Sequence, residues 1–150
     1  MELLLLRGSY SARIDDKGRL KVPTAFKSLV EEAHGAELYL TSLTGESMRV
    51  YPMPVWRGIE ERLARMPSTH PAKGKFLDRV NYFGQVSELD SQGRIVVPAR
   101  LRESAGMSGD VDVLGQMDFL EVWNHDRFLS KLQRESFTEG DARALAEFGI

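Results

Sequence analysis

IDDKGRLKVP at residues 14–23 returns as LDSQGRIVVP at residues 89–98. Aspartate, glycine, arginine and proline recur at matching places, and the offset between the segments is 75 residues, half of the 150-residue chain. Self-similarity of this kind indicates a duplicated module. A half of this length would have only a marginal core by itself, so we expect the two modules to interleave around a shared one.

Each repeated segment has the pattern of a β-hairpin. Apolar residues alternate at Ile14, Leu20 and Val22, on either side of an Asp-Asp-Lys-Gly turn. Aspartate accepts backbone N–H bonds within a turn, and glycine adopts a positive φ without a Cβ penalty. Proline then ends the second strand, because it has no N–H to donate to a central ladder. The sequence therefore predicts hairpin turns at residues 15–18 and 90–93.

Further strands and short helices are predicted along both halves. In the first half we expect a helix at residues 25–34 capped by Thr24, strands at 36–41 and 47–51, and a helix from Pro54. A proline-containing joint at 67–71 and a helix at 72–82 lead into the second half. There we expect a helix at 99–104, strands at 111–114 and 119–123, a helix opened by Asp126, and a last helix capped by Asp141.

Charge is unevenly distributed along the chain, although the net charge is only −2. Residues 1–30 carry six basic and three acidic side chains (+3), residues 31–102 carry ten and nine (+1), and residues 103–150 carry four and ten (−6). The overall balance therefore says little about any one face. The absence of cysteine excludes disulfides and thiolate chemistry, and is typical of a reducing cytoplasm.

No pattern of catalytic residues is evident. His34, His70 and His125 are widely separated, and no cysteine is present to join them in a metal site. The Gly74-Lys75 pair lacks the glycine spacing and the Ser/Thr of a phosphate loop. We therefore expect a protein that is not an enzyme, with no cofactor and no metal.

The repeated Asp-x-x-x-Arg pattern has two interpretations. In the structural one, the aspartate binds the turn backbone and the arginine returns over the hairpin to pair with it. In the functional one, an arginine beside a tight turn presents a planar five-donor fork that suits a phosphate or a guanine edge. The basic neighbours differ between the repeats: Arg7, Arg13, Lys17 and Lys21 lie near Arg19, whereas Arg100 and Arg102 follow Arg94, and Gln92 replaces the lysine.

The flanks of these motifs carry a resemblance to a known family. GSYSARIDDKGRLKVPTAFKSL at residues 8–29 is followed by VYP at residues 50–52 and by a predicted helix that contains Trp56. The second motif is followed by EVW at residues 121–123. Over about residues 5–135, the chain resembles the MraZ proteins, which belong to the AbrB-like, swapped-hairpin superfamily.

The resemblance implies a mixed α+β, β-rich fold, a duplicated AbrB-like swapped-hairpin β-barrel with flanking helices. We expect a first AbrB-like module at residues 5–66 and a connecting segment with a short helix at 67–82. A second AbrB-like module would occupy residues 83–135, and an acidic C-terminal tail with a short helix would occupy residues 136–150.

The function implied by the resemblance is sequence-specific DNA binding by a transcriptional repressor of the bacterial division and cell-wall gene cluster. Its operator would be a set of direct repeats in double-stranded DNA upstream of its own operon, bound by a ring of chains at the nucleoid, in the cytoplasm and away from membranes. In the family, DNA contacts are ascribed to the Asp-x-x-x-Arg loops. The residues expected to contact DNA are Asp15, Lys17, Arg19, Lys21, Arg13, Asp90 and Arg94.

Two interpretations of the chain ends stay open. Residues 1–6 are apolar but too short for a signal peptide or a membrane span, and they predict a strand or an arm. This arm and the apolar residues Phe128, Leu129 and Leu132 are candidates for a ring interface. The alternative function is an antitoxin-like protein of the same fold, whose tail at residues 126–150 would bind a partner protein.

Overall fold

The computed structural model describes residues 5–150, which form eight strands and six helices. In chain order these are β1 (Ser9–Ile14), β2 (Arg19–Lys21), α1 (Thr24–His34), β3 (Glu37–Thr41), β4 (Met48–Pro52), α2 (Met53–Ala64), α3 (Pro71–Tyr82), β5 (Gln85–Glu88), β6 (Arg94–Val96), α4 (Ala99–Ser104), β7 (Gly109–Gly115), β8 (Leu120–Asn124), α5 (His125–Arg134) and α6 (Glu139–Ala146).

The strands pair mainly between the two halves of the chain. β1 lies antiparallel to β7 of the second half, with Ser9 opposite Leu114, and β5 lies antiparallel to β3 of the first half. The resulting order is β5-β3-β4-β8-β7-β1-β2-β6. The strands at its two ends, β5 and β6, are the arms of one hairpin, so the sheet forms a nearly closed barrel. The interleaved, swapped-hairpin barrel expected from the repeat is therefore confirmed.

A local pseudo-two-fold axis relates the two halves. Where β2 pairs with β6, Leu20 lies opposite Ile95, the residue 75 positions later that repeats it. Where β4 pairs with β8, Arg49 lies opposite Glu121, with an equivalent residue on either side of each. Two ladders of the barrel are thus centred on repeated positions, which ties both halves into one unit.

Repeated positions from both halves also fill one core. Leu20 and Ile95 are each 1% exposed, and they face inward beneath the β2–β6 ladder. Further buried pairs at the same offset of 75 residues are Ile14 and Leu89, Val22 and Val97, Phe26 and Leu101, and Val30 and Ala105. Because every pair contributes one side chain from each half, neither half retains a complete core without the other.

The aromatic residues are packing groups. Trp56 on α2 is stacked against Tyr39 with ring centroids 4.6 Å apart, and it contacts Tyr51 at 5.0 Å. Trp123 is 5% exposed and packs against Phe128 on α5. The sequence interpretation of Trp56, Trp123 and Tyr51 as core residues rather than a base-stacking platform is confirmed by this burial.

Three expected helix caps are wrong. Thr24 lies inside α1, whose N-cap is Pro23 without a side-chain cap, because the chain enters the helix directly from the strand. Asn124 rather than Asp126 caps α5, since its side chain already accepts the N–H of Arg127. Thr138 caps α6, and Asp141 is the third residue of its capping box.

The chain ends differ in how they meet the barrel. Leu6 is buried and bridges to Met117, while Met1–Leu4 of the predicted N-terminal arm lie outside the described residues. At the other end, residues 132–150 are exposed throughout, so the C-terminal tail does not dock on its own barrel. Within residues 5–150, no helix is long and apolar enough to cross a membrane.

Candidate nucleic-acid interface

The first repeated turn, at residues 15–19, is held by a single aspartate. Asp15 Oδ1 accepts the backbone N–H groups of Lys17 at 3.0 Å and Arg19 at 2.8 Å, while its Oδ2 accepts Arg19 Nε at 2.7 Å. The turn closes with Gly18 at a φ of 78°, where an L side chain would be strained. One carboxylate therefore fixes both the turn backbone and the arginine side chain.

The second turn, at residues 90–94, reproduces this geometry. Asp90 Oδ1 accepts the backbone N–H groups of Gln92 at 2.8 Å and Arg94 at 2.9 Å, and its Oδ2 accepts Arg94 Nε at 3.0 Å. Gly93 has a φ of 74°. The structural interpretation of the Asp-x-x-x-Arg pattern is confirmed in both turns.

The aspartate engages only one edge of each guanidinium. Nε of Arg19 and of Arg94 binds the carboxylate, whereas their Nη atoms make no hydrogen bond with any residue in the range 5–150. These side chains are 34% and 29% exposed. Because the carboxylate restrains the rotamer, less conformational entropy is lost when the Nη groups bind a ligand. The structural interpretation is therefore compatible with the functional one.

The aspartates are ionised well below neutral pH. The pKa of Asp15 is lowered chiefly by the backbone N–H of Arg19, with further lowering from the Arg19 side chain and the N–H of Lys17. The pKa of Asp90 is lowered for the same reasons, with the backbone N–H of Arg94 first among them. Both turns therefore hold a permanent carboxylate–guanidinium pair at physiological pH.

The β2–β6 ladder brings the arms of both turns onto one outer face. Arg19 lies opposite Val96 and Lys21 lies opposite Arg94, while Leu20 and Ile95 between them point into the core. The four outward residues Arg19, Lys21, Arg94 and Val96 are called the ladder face below. Residues that are 75 positions apart in sequence thus share one surface, which includes three of the seven predicted DNA-contacting residues.

The remaining predicted residues lie around this face. Asp15 and Asp90 act through their arginines, and Lys17 is exposed at the tip of the first turn. Arg13 lies on β1, where its Nη1 is 3.2 Å from Asp110 Oδ1 of β7, and both side chains are about three-quarters exposed (75% and 74%). Part of the charge of Arg13 is therefore balanced by Asp110, unlike the charge of Lys17.

The two turns are also fastened to the opposite module, which sequence spacing did not indicate. Val22 donates its N–H to Gly93 O at 2.9 Å, and Val97 donates to Gly18 O at 2.8 Å. These donors and acceptors are again pairs at the 75-residue offset. Each turn is thus supported by the strand end of the other module, which positions the two turns rigidly relative to each other.

Two basic side chains lie against the turns from the opposite module. Arg102 of α4 covers Gly18, and Lys27 of α1 covers Gly93. The expectation that Arg102 supports Arg94 is wrong, because the exchange of hairpins carries α4 to the first turn. Arg100 is directed elsewhere, donating to Tyr82 O at 3.0 Å. The repeat offset of 75 between Lys27 and Arg102 was the signal in the sequence that related them.

Comparison with known proteins agrees with these features. A family model described as "MraZ protein, putative antitoxin-like" matches residues 5–79 and 85–148. A protein of Acidobacterium capsulatum named transcriptional regulator MraZ is 46% identical, over 97% of this chain and 100% of its own length. Proteins of the same name from Koribacter versatilis and Herpetosiphon aurantiacus are 42% and 37% identical, covering 97% and 95% of this chain and 100% and 98% of their own lengths.

Proposed function

The chain belongs to the MraZ family of DNA-binding transcription regulators, and we propose that it reads its operator with the two Asp-x-x-x-Arg turns. The proposed operator is a set of direct repeats upstream of its own operon, in the bacterial division and cell-wall gene cluster, which the protein represses at the nucleoid. The direct base readout would come from the Nη groups of Arg19 and Arg94, matched to guanine edges in the major groove.

The observation that carries this proposal is the ladder face. It presents two arginines whose Nε atoms are held by aspartates and whose Nη atoms have no partner among the described residues. Lys21 lies between them in the same ladder, and Lys17 lies at the adjoining tip. Restrained forks suit base edges, whereas flexible lysines suit the phosphate backbone, so the face combines both kinds of contact.

A DNA titration tests the proposal. The duplex carries the region upstream of the protein's own gene, a scrambled duplex is the control, and each titration is repeated at several salt concentrations. We expect tighter binding to the upstream duplex and a linear fall of log K with log salt. Equal affinity for both duplexes at every salt concentration would exclude sequence-specific regulation of this operon.

We further propose that the working unit is a ring of chains. One chain presents a single ladder face and a net charge of −2, so it engages few phosphates and binds weakly at physiological salt. Repeated faces raise the effective concentration at an operator of repeats. Direct repeats require head-to-tail neighbours, and a head-to-tail interface that closes gives a ring.

The exposed side of α5 is the proposed contact for this ring. Leu129 and Leu132 are 46% and 55% exposed, whereas Phe128 is turned inward against Trp123. Size exclusion with light scattering would measure the assembly, and Leu129→Glu/Leu132→Glu should shift it to monomer. Val86→Glu, at an exposed apolar position on β5, is the matched control. A wild-type monomer at micromolar concentration that binds the operator tightly would contradict the ring.

The antitoxin-like function is the second candidate. It is favoured by the exposed apolar side chains of the tail, since Phe137, Phe148 and Ile150 are 71%, 79% and 81% exposed. Hydrogen exchange at residues 139–146 separates the candidates. In the ring, protection of this helix rises with protein concentration. In an antitoxin, it stays low at every concentration and rises only when a partner protein is added.

A further inference from the structure

We propose that each DNA-contacting turn is completed by a phosphate-binding cation from the opposite module, Arg102 for the turn at residues 15–19 and Lys27 for the turn at residues 90–94. This inference rests on the proposed function, because it assigns further ligands to the same surface. It makes each DNA contact a composite of both modules rather than a property of one hairpin.

The contact of Arg102 with the first turn is direct. A Cβ built on Gly18 would lie 2.5 Å from Arg102 Nη1 and 2.7 Å from its Cδ and Cζ. The guanidinium therefore occupies the space that any other residue at position 18 would fill. Since Gly18 precedes Arg19 in the chain, the two arginine side chains belong to neighbouring parts of one surface.

The second turn repeats this arrangement with the other basic residue. A Cβ built on Gly93 would lie 2.7 Å from Lys27 Cδ and 2.9 Å from Lys27 Cε. Lys27 and Arg102 are themselves equivalent at the offset of 75 residues, as are the two glycines. The same exchange thus occurs in both directions across the pseudo-two-fold axis, so the arrangement is part of the repeated design.

Formal charge shows what the exchanged cations supply. Residues 15–19 contain Asp15, Asp16, Lys17 and Arg19, and so sum to zero. Residues 90–94 contain one aspartate and one arginine, and also sum to zero. A neutral turn gains little from the field of the phosphates. With the cation of the opposite module each turn becomes +1, and this positive charge lies beside the arginine that reads the base.

The two exchanged cations differ in strength. Lys27 Nζ lies 3.6 Å from Glu31 Oε1, one turn further along α1, so its charge is partly balanced. Arg102 forms no ion pair with any residue in the range 5–150, and its buried Nε has no hydrogen-bond partner there. The net positive charge is therefore greater at the first turn, and Arg102 should contribute more than Lys27 to phosphate binding.

The test is a salt-dependent DNA titration of Arg102→Met, which keeps an apolar cover over Gly18 but removes the charge. Losing one phosphate contact lowers the magnitude of the log K against log salt slope by about 0.9 per chain, or about 8-fold in affinity at 0.1 M salt. Lys27→Met should lower it less. Operator and scrambled duplexes should weaken alike, because a phosphate contact carries no sequence information. Arg100→Ala, on the same helix but bonded to Tyr82 O, is the matched control.

A charge-keeping variant separates binding from packing. Arg102→Lys should retain the wild-type slope, and Arg102→Gln should lose it, whichever of them changes the melting temperature. An unchanged slope in both Arg102→Met and Arg102→Gln would overturn the inference. The proposed function fails separately, if Arg19→Ala/Arg94→Ala binds the operator as the wild type does. Loss of specific binding in that double variant with an unchanged Arg102→Met slope would refute only the exchanged cations.

Discussion

The turns at residues 15–19 and 90–94 share their backbone and differ in their surface. In both, one aspartate holds two backbone N–H groups and an arginine Nε, with distances that agree within 0.3 Å. Their outward neighbours are not alike. Arg19 lies opposite the apolar Val96, whereas Arg94 lies opposite Lys21. The duplicated scaffold is symmetric, but the charges placed on it are not.

The difference separates two requirements on the same segment. Aspartate, glycine, arginine and proline occupy equal places because the hairpin geometry depends on them. The tip residues make no such contribution through their side chains, so Lys17 in one turn and Gln92 in the other build the same turn. We therefore expect the two turns to have equal stability roles and unequal electrostatic roles at DNA.

Removal of the arginine forks should have the largest effect on DNA binding. Each fork is worth about 1–3 kcal/mol of discrimination, so Arg19→Ala/Arg94→Ala should lose about 2–6 kcal/mol between operator and scrambled duplex. The measurement is a competition titration, with circular dichroism to check folding. Arg19→Lys is the control that keeps charge and loses the fork. If Arg94→Ala alone discriminates as well as the wild type, the second turn does not read bases.

Truncation of the paired core residues should test the symmetry of the scaffold. Leu20→Ala and Ile95→Ala each remove a side chain that is 1% exposed beneath the ladder face, and each should lower the free energy of unfolding by about 2–5 kcal/mol. Urea unfolding measures both. Lys21→Ala, between them in the ladder but exposed, should leave the free energy nearly unchanged. Strongly unequal losses would show that the two modules do not support the barrel equally.

Exchange of the tip residues should shift charge between the turns without changing their backbone. Gln92→Lys should raise the magnitude of the salt slope by about 0.9 and Lys17→Gln should lower it equally, about 8-fold in affinity at 0.1 M salt. The double exchange should restore the wild-type slope if the two turns lie equally close to DNA. A slope that responds only at position 17 would mean that the first turn alone contacts phosphates.

Acidification should give the smallest effect, and it should be equal in the two turns. Asp15 and Asp90 have pKa values below the ordinary 3.8, chiefly because backbone N–H groups bind their carboxylates. Their contribution to stability is therefore complete above pH 3.8 and is lost as the pH falls through the lowered values. Melting temperatures measured from pH 6 to pH 2 should fall less steeply in Asp15→Asn and in Asp90→Asn. A wild-type slope in either variant would show that its turn does not contribute.

Much of the scaffold could be read from the sequence because it depends on local chemistry. The two hairpin turns, the short helices and the burial of Trp56 follow from residue types and spacing. The helix caps were misassigned where two capping residues lie close together, as Asn124 and Asp126 do. Either can accept an N–H bond, so the choice depended on where the preceding strand ends.

The sequence by itself determined the duplication, the two stapled turns and the family to which the chain belongs, since each rests on residues that act within a few positions. Only the tertiary structure decided which module supplies each neighbour of a turn. Arg102 is eight residues from Arg94 in sequence, yet it covers Gly18 of the other hairpin. Pairing between strands is long-range, and exchange of hairpins moves every flanking charge to the opposite turn, which no local pattern records.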